Sequence, residues 1–196
     1  MSRRNLYPPR FPKFATGIRA QVRGDTAFAR NWWWQKWLKV VERIGMGVRL
    51  GKGKNYATSG QVTELKIEGP RVKAKVLGLR ENPYEVSLEF RQPDAEQKRR
   101  IVEKLREEPI MVARLLADDL PLEVEEYFRA EGLELFPGEK LGEGEYDMTI
   151  GCNCPDWANP CKHSIAVLYI LGEEVARRPL TLLGLRGIEA EELYEN

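Results

Sequence analysis

Apolar residues return at intervals of three and four in Trp33, Trp37, Val40, Val41 and Ile44, the spacing of one helix face. This predicts a helix over 25–44, capped by Asp25 or Asn31 and stopped by Gly45 and Gly47. Further on the pattern alternates in places: Val62, Leu65 and Ile67, then Val72, Ala74 and Val76, then Val86, Leu88 and Phe90. Three strands are expected, at 61–68, 71–79 and 84–90, with turns at Gly69-Pro70 and Glu81-Asn82-Pro83 joining them into a meander. Between helix and meander, 48–60 reads as a basic, glycine-rich loop. Residues 1–24 carry Arg, Pro and aromatics without a period and read as an extended arm.

From Pro93 the period is helical again. Asp94 caps a helix that buries Ile101, Val102 and Leu105 and ends before Pro109. Short helices follow at 110–117 and 122–130, an extended piece at 133–137, and an acidic, glycine-rich loop at 138–145. A strand at 146–150 runs into Cys152, and a helix at 161–171 turns Ile165, Leu168 and Tyr169 inward and stops at Gly172. One or two short helices surround Leu182, Leu183 and Leu185. The expected class is α+β: a basic amino-terminal domain (1–92) with a helix and an antiparallel β-meander, a helical linker region (93–137), and a carboxy-terminal strand, knuckle and helices (138–196).

Of the 196 residues, 42% are hydrophobic and 31% charged, which excludes a wholly disordered chain. No apolar run approaches the roughly 18 residues of a membrane span, and residues 1–14 lack the apolar core of a secretory signal. The expectation is a soluble, cytoplasmic protein with no membrane partner. Its net charge of +1 conceals a division. Residues 1–80 hold 18 Lys and Arg against four Asp and Glu, and the remainder is correspondingly acidic. Such a basic segment attracts a polyanion through counterion release, or the two halves pair with each other. Arg49, Lys52, Lys54 and Tyr56 are the candidate nucleic-acid contacts, combining phosphate-neutralising cations, glycines and an aromatic. The Gly51-Lys52-Gly53 spacing lacks the Walker ending and is no nucleotide site. Of the adjacent Trp32, Trp33 and Trp34, which cannot all face one way, two or three fit a core better than a base platform.

The sharpest signal is local. The chain has three cysteines, Cys152, Cys154 and Cys161, and one histidine, His163, all within twelve residues. An odd, clustered set is a poor disulfide framework, whereas three thiolates and an imidazole match a tetrahedral structural zinc. Four good ligands leave no open position for a substrate or water, so a non-enzymatic role is expected.

The run C-x-C-x6-C-x-H, leading into Ser164-Ile165-Ala166-Val167-Leu168-Tyr169, resembles the SWIM zinc finger. The Trp32-Trp33-Trp34-x-x-Trp37 cluster, the basic stretch 51–57 and the meander after it resemble the amino-terminal part of prokaryotic SWIM-domain proteins. The resemblance implies one structural zinc on Cys152, Cys154, Cys161 and His163. It further implies binding to nucleic acid, DNA rather than RNA, or an adaptor role beside an SNF2-type helicase or recombination protein. The alternative is a pure protein–protein interaction module.

Overall fold

A computed structural model describes residues 15–21, 28–45, 47–138 and 147–194. Of the expected arm at 1–24, residues 1–14 and 22–24 lie outside them, as do the Asp25 cap and nearly all of the acidic loop at 138–145. Residues 15–21 run alongside 57–62, with the Ile18 N–H on the Val62 carbonyl at 2.7 Å and the Ala20 N–H on the Ala57 carbonyl at 3.0 Å. Four strands form one antiparallel sheet in the order β1 (Val62–Glu68), β2 (Arg71–Val76), β3 (Tyr84–Phe90) and β4 (Met148–Cys152). The expected meander is the first three strands. Leu88 opposes Val72 across one ladder and Ile150 across the next, so alternate residues make a single apolar face. The opposite face carries Lys73 and Lys75, which pair with Glu68 at 3.3 Å and Glu64 at 2.7 Å. Part of the basic charge is therefore neutralised within the sheet itself.

Helix α6 (Lys162–Arg177) lies against that apolar face, and α1 (Trp32–Ile44) and α2 (Val48–Thr58) pack on α6. A helix covered by a sheet and two helices is buried nearly all round, and α6 is buried at every position from His163 to Glu173. The tryptophans are core: Trp33, Trp34 and Trp37 are buried, and the Trp33 and Trp37 indole N–H groups donate to the Ala176 and Leu168 carbonyls at 3.2 and 2.9 Å.

Three expectations need correction. Residues 48–60 are not a loop, because 48–58 form α2. The face of α2 formed by Gly53, Tyr56 and Ala57 is buried, and tertiary contact outweighs the roughly 1 kcal/mol by which each glycine disfavours a helix. Gly172 does not stop α6, which continues to Arg177; a methyl group on Gly172 would lie 2.3 Å from Trp37 Cδ1, so the glycine is a notch for that indole. Residues 28–30 are a turn before α1, held by the Asn31 N–H on the Phe28 carbonyl at 3.0 Å and by Phe28 edge-on to Trp34 at 5.3 Å.

The middle of the chain follows the pattern. Asp94 caps α3 (Ala95–Arg106) through a reciprocal pair with Gln97, at 2.8 and 2.9 Å. Pro109 opens α4 (Pro109–Leu116), where its missing N–H costs nothing, and α5 (Glu123–Ala130) follows. The piece at 133–137 forms no strand; buried Arg186 holds it, donating to the Leu135 carbonyl at 3.1 Å, the Arg91 carbonyl at 3.0 Å and Asp147 at 2.5 Å. Helix α7 (Leu180–Leu185) and a 3-10 turn (Ala190–Leu193) finish the chain. One core cluster contains Val72 and Leu88, Leu105 and Phe128, and Leu168 and Leu183, joining all three expected segments.

Candidate metal centre

Strand β4 brings Cys152 to the edge of the site, opposite Val86. Asn153 then locks to β3: its backbone N–H donates to the Glu85 carbonyl at 3.2 Å, and its side-chain oxygen accepts the Glu85 N–H at 2.9 Å. That clasp lets the chain bend sharply enough for Cys154 to face the same point as Cys152. The knuckle beyond is tied internally, with the Ala158 N–H on Asp156 Oδ1 at 3.2 Å and Asn159 Nδ2 on the Ile150 carbonyl at 2.8 Å. Cys161 occupies the N-cap position of α6, and His163 lies in the first turn.

The four ligand atoms all fall within 4.8 Å of one another. His163 Nδ1 lies 3.7 Å from the Cys161 sulfur and 3.9 Å from that of Cys152. A tetrahedral zinc with Zn–S of about 2.3 Å and Zn–N of about 2.0 Å separates nitrogen from sulfur by roughly 3.6 Å. These two nitrogen–sulfur distances are close to those of a loaded site, and the whole cluster is compact enough to close on one ion.

Electrostatics agree. Hydrogen bonds from the Cys152 thiol, then from His163 and Ser164, hold the Cys161 thiol far below its ordinary value, at about 3, against the opposing effect of burial. Sharing that proton raises Cys152, and burial raises Cys154. Zinc requires all three as thiolates, so loading releases protons.

His163 is 1% exposed, with the Tyr84 ring tilted over it at 4.4 Å and the Tyr56 ring edge-on at 5.3 Å. Its Nε2 is buried with no hydrogen-bond partner among the described residues. Metal-bound histidines usually donate this second N–H to an acceptor that fixes the ring. Here aromatic packing fixes it, leaving Nδ1 aimed at the sulfurs. Gly78 closes the arrangement, since a methyl group there would lie 2.5 Å from Tyr84 Cε2 and 3.3 Å from Nε2. An imidazole buried without an oxygen or nitrogen partner, against three clustered thiols, fits one zinc ion.

The candidate nucleic-acid contacts separate. Arg49 pairs with Asp156 of the knuckle at 3.3 Å, and its guanidinium stacks over Trp157 at 5.1 Å. Tyr56 is buried beside His163, with the Lys162 ammonium 5.7 Å from its ring centre. Lys52 and Lys54 are exposed and carry no ion pair among the described residues. At about 100° per residue they sit on opposite flanks of α2, with Lys52 on the side of Arg49. Tyr84 and Gly78 had no signature: one reads as an ordinary strand residue, the other as a turn glycine.

Residues 145–172 match the family model of the SWIM zinc finger. An uncharacterized protein of Mycobacterium tuberculosis is 36% identical over 191 residues, 96% of this chain and 66% of that relative. The chain thus spans just under two thirds of its relative's length. No solved structure gives a significant match.

Proposed function

We propose that this chain, a SWIM-domain protein whose zinc finger occupies residues 145–172, is a non-enzymatic nucleic-acid-binding protein, for DNA in preference to RNA. Zinc is structural in this reading, because four protein donors complete its tetrahedron and none of the four positions is left for water. The observation that carries the reading is the seat of α2 on α6. It sets Arg49 on the knuckle through Asp156 and Lys162, at the start of α6, against Tyr56, while helix geometry puts Lys52 on the Arg49 flank of α2. Cations gathered on one rim are the footprint of phosphate binding.

The test is the affinity of the zinc-loaded protein for a short oligonucleotide across a salt series. A log–log slope of about −2 or steeper is expected from the phosphate contacts of such a rim. A slope near zero overturns the proposal. The interaction-module reading then takes over, favoured by the solvent-exposed Ile110, Leu116 and Leu122 around α4 and α5. On that reading an SNF2-type helicase or a recombination protein is the partner sought.

A further inference from the structure

Trp157 is 89% exposed, the most exposed large hydrophobic residue among those described. Burying an indole is worth roughly 2–3 kcal/mol, and the other tryptophans that are described are buried or partly buried. The ring is also held in place. It sits in the knuckle between Cys154 and Cys161, whose turn is closed by the Asp156 and Asn159 hydrogen bonds. Arg49 stacks 5.1 Å from its centre, and Asp156 fixes the guanidinium from the side. The guanidinium lies over one face of the indole but covers little of it, and an exposure this high leaves the ring open to solvent.

From this arrangement we infer that Trp157 is a stacking platform for an unpaired base, and that the chain binds single-stranded nucleic acid through it. The inference rests on the nucleic-acid reading above and specifies its substrate. A base has a π-face whatever its identity, and it can lie on the open indole face only when it has left its own helical stack. The surrounding charge suits the strand's backbone. Arg49 has its own carboxylate partner, but Lys52, on the Arg49 flank of α2, and Lys162, whose ammonium lies 5.7 Å from the Tyr56 ring centre, have no ion pair among the described residues.

The experiment measures binding of fluorescent oligo-dT, of a duplex of equal length and of an abasic strand of equal length, by the zinc-loaded wild type and by Trp157→Ala and Trp157→Phe. Zinc content and circular dichroism verify that each variant is folded, which the exposure of the side chain favours. The single strand should bind more tightly than the duplex or the abasic strand. Trp157→Ala should lose about 5- to 150-fold in affinity for oligo-dT, the range for one stacked base, and Trp157→Phe should lose less. The abasic strand should bind wild type and Trp157→Ala alike, because its phosphates are unchanged. Salt-dependent binding that Trp157→Ala leaves intact, or a preference for duplex, overturns the stacking inference while nucleic-acid binding stands. Absence of salt-dependent binding by the wild type overturns both.

Discussion

A methyl group on Gly53 would lie 2.4 Å from Cγ2 of Ile165, and this contact fixes how closely α2 approaches the first turns of α6. Gly51, one half-turn away, has nothing within 4 Å of the equivalent position. The same substitution should therefore have opposite signs at the two sites. Gly51→Ala should stabilise by about 0.5–1 kcal/mol through helix propensity. Gly53→Ala should destabilise by about 1–3 kcal/mol through overpacking, which exceeds that gain. Urea unfolding of both variants checks this, and a Gly51→Ala variant of lowered stability would be incompatible with 48–58 as helix.

Zinc should be present at one ion per chain, measurable by elemental analysis. Structural zinc in finger peptides is worth roughly 10–16 kcal/mol, as much as the 5–15 kcal/mol stability of a whole domain. Its ligands here are at the start of the helix that packs on α1, α2 and the sheet. Removing zinc should accordingly lower protection throughout the core. Hydrogen exchange with and without a strong chelator, and in Cys154→Ser, reads this. Strands β1 and β2 keeping full protection in the stripped protein would show a finger that folds independently.

Lys52 and Lys54 should differ in nucleic-acid binding, since only Lys52 flanks the knuckle side of α2. Lys52→Glu should weaken binding across all sequences and reduce the salt slope by about one unit. Lys54→Glu should change it much less. Equal losses would place the binding rim elsewhere on α2.

Glu173 supplies a pH test in the core. Burial raises its carboxyl above the ordinary 4.5, while the Gln21 backbone N–H and Arg177, at 2.8 Å, pull the other way. Above pH 4.5 the unfolded chain gives up this proton more readily than the folded one. Stability is then full below that pH and falls as pH rises through the folded value. Glu173→Gln keeps an acceptor for Gln21 and should flatten this fall. Denaturant midpoints over a pH series measure the slope, and a slope equal to wild type would mean the buried carboxyl titrates normally.

What the sequence alone determined is local. The metal ligands were legible because every cysteine and the histidine fall within twelve residues, so chemistry and spacing coincide with no need of distant partners. The meander was legible from alternation at Val72, Ala74 and Val76 and at Val86 and Leu88, and the start of α3 from Asp94 and Gln97, which satisfy each other three residues apart. The tertiary structure decided whatever depends on a neighbour far along the chain. Gly53 and Gly172 look like helix breakers by propensity, yet both lie inside helices because Ile165 and Trp37 need the space a side chain would take. Lys52 and Lys54 look equivalent until α2 coils and turns them to opposite flanks. Trp157 falls inside the knuckle by sequence, but its exposure is decided only when the core forms around Trp33, Trp34 and Trp37 and the hydrogen bonds that close the knuckle leave this one outside.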